Sequence, residues 1–137
     1  VTDTKELVLP SKVESVDKAA VEAADFAVNQ CGLTDEALFG IDMAIREAVA
    51  NAVKHGNKED ESKNVEITLT NIDDGFELKV RDFGIGFAVG DVADPTREEN
   101  LLKASGRGIL FMRSFMDEVE WTNAPGGGTV VRMIKKR

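Results

Sequence analysis

Phe76-Glu77-Leu78-Lys79-Val80-Arg81-Asp82-Phe83-Gly84-Ile85-Gly86-Phe87 decides the reading of this chain. Phe76, Leu78 and Val80 alternate with polar residues, as in a strand with one buried face. Asp82 is next in the inward series, where an apolar side chain belongs. A carboxylate aimed at a core is costly without a hydrogen-bond donor. Two kinds of donor are open to it: a backbone N–H of the following turn, or the exocyclic amine of an adenine. Gly84 and Gly86 allow left-handed backbone or close approach beside it. They would serve an ordinary turn, but with an aspartate in register they point to a ligand site.

Upstream, Glu47-Ala48-Val49-Ala50-Asn51-Ala52-Val53-Lys54-His55-Gly56 reads as the end of a helix. At 100° per residue, Glu47, Asn51 and His55 lie at about 0°, 40° and 80°, and the apolar stripe centres near about 150°. The polar stripe therefore borders the buried face, where a site between helix and sheet would sit. A carboxylate there can orient or deprotonate a hydroxyl, and an amide oxygen is a hard ligand suited to Mg²⁺. A solvated flank with an i,i+4 hydrogen bond is the plainer alternative. His55 reads as a C-terminal residue favoured by the helix dipole.

Downstream, Gly106-Arg107-Gly108-Ile109 opens a further helix. Helix N-terminal N–H groups with glycine beside them can bind phosphate, and Arg107 can donate to it in bidentate fashion. The alternative is a flexible joint with a surface arginine. No Walker motif is present, and the glycines do not join a first strand to a helix as a dinucleotide fingerprint would. Thr129 shares a face with Val131 and Met133, and its hydroxyl could help to read a base or serve only strand propensity.

The remaining pattern supplies the frame. Leu7-Val8-Leu9 is a strand stopped by Pro10. Ser11 or Ser15 is expected to cap a first helix running to about Gln30, with Gly32 as its stop. Thr34 or Asp35 caps a second, predicted to run to His55 with Gly56 as its stop. A charged loop spans 57–64. Val65, Ile67 and Leu69 alternate as a strand, and 71–75 turn into the next. The pattern is lost over 84–106, a length usual for a functional or mobile loop. A helix over 109–115, a strand at Val119 and Trp121, a hairpin loop over 123–128 and a strand over 129–134 complete the chain. This order predicts an α+β fold: a two-layer sandwich with a mixed, mostly antiparallel sheet and helices on one face.

The 137 residues suit one domain, 1–137. A net charge of -8 argues against nucleic acid or an anionic membrane as a partner, so a phosphate ligand must be held locally. Cys31, the single cysteine, cannot form an internal disulfide or a thiolate zinc cage, which fits a reducing compartment. No stretch is apolar for long enough to span a membrane, and the charged start at 1–6 is not a signal peptide. The expected location is the cytosol.

The order Glu-x-x-x-Asn (Glu47, Asn51), Asp-x-Gly-x-Gly (Asp82, Gly84, Gly86), Gly-x-Gly (Gly106, Gly108) resembles the N, G1 and G2 boxes of the gyrase, heat-shock chaperone, histidine kinase and MutL (GHKL) ATPases, over 41–133. The resemblance implies the Bergerat-type ATP-binding fold. Glu47 to Gly56, with the later Met116-Asp117-Glu118-Val119, is similar to the bacterial anti-sigma-factor serine kinases of the switch-kinase type. Such a resemblance implies ATP and Mg²⁺ as cofactors, a STAS-type anti-anti-sigma protein as phosphoacceptor, a sigma factor as a second partner, and a homodimer. It gives Glu47 the catalytic role toward the attacking hydroxyl and makes Asn51 the Mg²⁺ ligand. Asp82 would take the adenine amine, with Gly84, Gly86 and Thr129 about the base. Gly106, Arg107, Gly108 and Ile109 would hold the phosphates under a lid at about 88–105. Sensor histidine kinases share the boxes but add an upstream phosphoacceptor helix, and His55 lies within the N box, so it is not expected to be that acceptor. Two other readings compete: a module that sequesters a regulator in response to nucleotide without chemistry, and an ATPase fragment of a larger chaperone-like or sensor protein.

Overall fold

The computed structural model describes residues 4–58, 60–84 and 108–137, with the backbone alone over 108–111. The lid expected at about 88–105, together with Gly86, Gly106 and Arg107, lies outside these residues. Gly108 and Ile109 are placed only as the first residues of a helix.

Five strands form one sheet: β1 (Thr4–Pro10), β2 (Asn64–Ile72), β3 (Gly75–Arg81), β4 (Glu118–Asn123) and β5 (Thr129–Lys136). Their order is β1-β2-β3-β5-β4. The sheet expected to be mostly antiparallel is antiparallel at every described pairing. Register aligns the apolar positions into rows across the strands. One row is Leu7, Ile67, Val80, Val131 and Trp121, and the next is Leu69, Leu78, Met133 and Val119. All of these join one core cluster, onto which α1 (Glu14–Asn29), α2 (Asp35–Asn51) and Met112 of α3 (Gly108–Phe115) close. The other face of the sheet carries charge: Arg132 bridges Glu77 at 2.8 Å and Glu120 at 3.5 Å. Partly exposed pairs of this kind add little stability.

Small residues set the helix spacing. Ala19, Ala20, Ala23 and Ala27 of α1 and Ala44 and Ala48 of α2 are all buried. Gly40 does the same for α3, since a Cβ there would lie 3.1 Å from the Phe115 Cβ. Thr34 caps α2 as expected, accepting from the Ala37 N–H at 3.4 Å. Gly32, at φ 65°, stops α1 as expected. Neither serine caps α1, however. The Ser15 hydroxyl donates to the Pro10 carbonyl at 2.7 Å and that of Ser11 to the Lys63 carbonyl at 2.6 Å, so both staple the chain leaving β1.

The predicted helix to His55 differs in its last turn. The α-helix ends at Asn51, and Ala52–Gly56 form a π-helical turn closed by Asn57 N–H to the Ala52 carbonyl at 2.8 Å. Such turns are uncommon and are frequent at functional sites. Here the widened turn brings Gly56 and Asn57 against the end of β3.

Leu78 lies in the middle of a core row and is fully buried, whereas Val21 on α1 is 65 % exposed. Leu78→Ala is expected to lower unfolding free energy by about 2–5 kcal/mol. Val21→Ala should change it by less than about 0.5 kcal/mol. Urea denaturation midpoints at constant slope measure both.

Candidate functional site

Asp82 falls one step beyond Val80 on the core face, as the alternation predicts, and is 8 % exposed. Its own N–H donates to the Thr129 carbonyl at 3.0 Å, extending the β3–β5 ladder past Arg81. The carboxylate oxygens have different surroundings. Oδ1 accepts from the Gly84 N–H at 3.0 Å and the Thr129 N–H at 3.3 Å. The backbone donor anticipated from the sequence is therefore present. Oδ2 lies against Gly56, and among the described residues nothing donates to it. Burial raises the Asp82 pKa above the usual carboxylate value. The Gly84 and Thr129 amides, then Arg81 and Lys63, oppose that shift without cancelling it.

Three glycines make this arrangement possible. A Cβ on Gly56 would stand 2.3 Å from Asp82 Cγ and 2.4 Å from Oδ2. One on Gly84 would meet the Gly56 carbonyl oxygen at 1.9 Å, and one on Gly128 the Asp82 carbonyl oxygen at 2.0 Å. Gly128 also has φ 88°, which L side chains disfavour. The loop that holds it is tied to β3 by Arg81, whose guanidinium donates to the Pro125 carbonyl at 2.9 Å and lies 4.4 Å from the Phe83 ring centroid.

Glu47 and Asn51 lie half-buried one turn apart on α2, bordering buried Ala48 and Ala52. Burial raises the Glu47 pKa, while the Asn51 amide and, more weakly, His55 and Lys54 pull it down. His55 does not continue the stripe, because the π-helical turn intervenes, and its side chain is exposed. The fold thus brings together Asp82, Gly84 and Thr129 at the strand end, with Glu47 and Asn51 on the helix whose final turn reaches that strand end. Thr129 touches Asp82 through its main chain.

The sequence reading missed Asn57, taken as the start of a charged loop, and the packing roles of Gly56 and Gly128. Asn57 is 1 % exposed, with both Nδ2 hydrogens and Oδ1 hydrogen-bonded. Its only local signal is its position directly after the glycine that stops a helix.

Among the described residues no group of three or more His, Cys, Asp or Glu could hold a metal ion. The available oxygen donors, the Asn51 amide with Glu47 one turn away, suit Mg²⁺, which keeps several waters and takes phosphate oxygens beside one or two protein ligands. No helix among the described residues is long and apolar enough to cross a membrane.

Residues 9–135 match the family model described as the histidine kinase-like ATPase domain. The chain is similar to the anti-sigma F factor of Oceanobacillus iheyensis, with 33 % identity over 95 % of this chain and 90 % of that protein. It is 35 % identical to the anti-sigma F factor of Clostridium perfringens, over 92 % of this chain and 91 % of the relative. The anti-sigma F factor of Bacillus subtilis is 34 % identical over 85 % and 81 %. With the family model matched over 9–135 and these relatives aligned over most of their length, the chain belongs to the histidine kinase-like (GHKL) ATPase family.

Proposed function

We propose that this protein binds ATP with Mg²⁺ and transfers the terminal phosphoryl group to a serine or threonine of a STAS-type anti-anti-sigma protein, and that it holds a sigma factor inactive until partners exchange. The observation that carries the reading is Asp82 Oδ2. Asp82 is a buried residue on the core face, and among the described residues nothing donates to this oxygen, which leaves it open to an adenine amine. Membership of the ATPase family supports the nucleotide. The sigma factor rests on the relatives' name, anti-sigma F factor. The serine-kinase activity and the STAS partner rest on the switch-kinase resemblance of the Glu47 to Gly56 segment.

Phosphoryl transfer depends on positioning and charge neutralisation more than on covalent chemistry. Mg²⁺ bound through the Asn51 oxygen would screen the phosphates. Gly106, Arg107, Gly108 and Ile109 fall to the phosphates by the same resemblance. Glu47 orients the acceptor hydroxyl and takes its proton. Its raised pKa makes it a stronger base than a solvated glutamate. The test is transfer of label from γ-labelled ATP to a purified STAS-domain partner. Nucleotide-dependent binding of that partner without labelling would identify a sequestering module instead.

Glu47→Gln should bind ATP within a few-fold of wild type and lose about 10²–10⁴-fold in transfer. The same substitution should raise the melting temperature at neutral pH. The sign follows from linkage: the folded state holds the Glu47 proton more tightly than the unfolded state, so wild-type stability falls as pH rises from the ordinary carboxylate pKa through the raised one. The advantage of the glutamine variant should therefore vanish below about pH 4. Thermal melts at neutral and acidic pH read it.

Asp82→Asn keeps an oxygen for the Gly84 and Thr129 amides but can place an NH₂ where Oδ2 stood. It should weaken ATP binding by ~1–3 kcal/mol with the fold intact. Titration calorimetry measures this, and unchanged affinity would remove Asp82 from the base contact.

A further inference from the structure

The Asn57 side chain uses both of its N–H donors and its carbonyl oxygen, each toward a different part of the fold. Its Nδ2 donates to Ser11 Oγ, just beyond β1, at 2.8 Å, and to the Asn64 carbonyl at the start of β2 at 3.0 Å. Its Oδ1 accepts from the Phe83 N–H, just beyond β3, at 2.8 Å. Its own N–H closes the π-helical turn on Ala52. No other common side chain does all of this in the same space. Ser11 Oγ already donates to the Lys63 carbonyl, so toward Asn57 it must accept. The Asn64 carbonyl must accept as well. An aspartate would set a charge against two acceptors, and a leucine would leave buried polar groups unpaired.

These bonds act on the base-reading carboxylate. The amides of Asp82, Phe83 and Gly84 are bound in turn to the Thr129 carbonyl, Asn57 Oδ1 and Asp82 Oδ1. Gly56, directly before Asn57, lies against Asp82 Oδ2. The Gly56–Asn57 pair therefore touches the carboxylate on one side and fixes the next amide on the other. Resting on the ATP reading above, we propose that Asn57 is a positioning residue for adenine recognition, holding the Asp82 turn so that Oδ2 is aimed before the base arrives. It does not contact the nucleotide. Its contribution is preorganisation, which spares the bound state the ordering of a turn.

A residue that merely stapled the loop would affect folding and leave base preference alone. ATP and ITP separate the two roles, because ITP carries a keto oxygen, an acceptor, at the position where the ATP amine would donate to Asp82. In calorimetric titrations with Mg²⁺, at a temperature where circular dichroism shows the protein folded, wild type should prefer ATP. Asn57→Ala should lose roughly tenfold of that preference, through weaker ATP binding with ITP binding little changed. Full preference in a destabilised Asn57→Ala would overturn the proposal. A wild type that does not distinguish the two nucleotides would sink the ATP reading itself and this inference with it, an outcome separate from the variant's result. Should Asn57→Ala fail to fold, amide hydrogen exchange of nucleotide-free wild type decides. The Phe83 N–H should be protected, and exchange at the open-chain rate would overturn the proposal.

Discussion

A carboxylate set into a row of aliphatic side chains must find donors or give up its charge, and this constraint organises one end of the fold. Asp82 follows Val80 on the face that buries Leu78 and Phe76. The chain meets the constraint halfway. Two main-chain amides saturate Oδ1, which keeps the group in place, and Oδ2 is left against the bare Cα of Gly56. Glycine at 56, 84 and 128 follows, since a methyl at any of them would collide with Asp82 or with the backbone beside it. The π-helical turn belongs to the same arrangement, because it delivers Gly56 and Asn57 to the strand end.

The charge balance of the chain sharpens the argument. With a net charge of -8, the protein offers a polyphosphate no general attraction. In the proposed function, binding would come from local dipoles, a metal ion and a specific base contact. An acidic background also discourages other anions from gathering at the site. The base contact proposed, made by a carboxylate that disfavours keto groups, would then carry much of the discrimination between nucleotides.

Those elements whose evidence is periodic were legible in the sequence. Alternation at Val65, Ile67 and Leu69 and at Phe76, Leu78 and Val80 fixed both strands and the face each buries. That same alternation exposed Asp82 as the exception, and an exception in register is a stronger signal than a glycine pair alone. What escaped depends on contacts distant in sequence. Asn57 binds Ser11 and Phe83 across 46 and 26 residues, and its place directly after Gly56 is all that marks it within the charged loop it begins. The serines after Pro10 look like caps because helix caps are local, yet they bond to carbonyls outside the helix. The change from α to π geometry after Asn51 leaves no compositional mark, since it is imposed by what Gly56 and Asn57 must reach.

The two acids of the site are destabilising in the same sense and for different ends. Both Glu47 and Asp82 are held above the usual carboxylate pKa by burial, against hydrogen bonds that pull them back. Glu47 is half-buried and can meet its need with water or with an arriving hydroxyl. Asp82 is buried, and the amides it has engaged already serve Oδ1. Among the described residues no donor reaches Oδ2, and in the proposed function an adenine amine supplies one. A ligand that binds the folded state alone stabilises it by mass action. With ATP as that ligand, as proposed, the stabilisation would act at Oδ2, which would tie base recognition and fold stability to one oxygen atom.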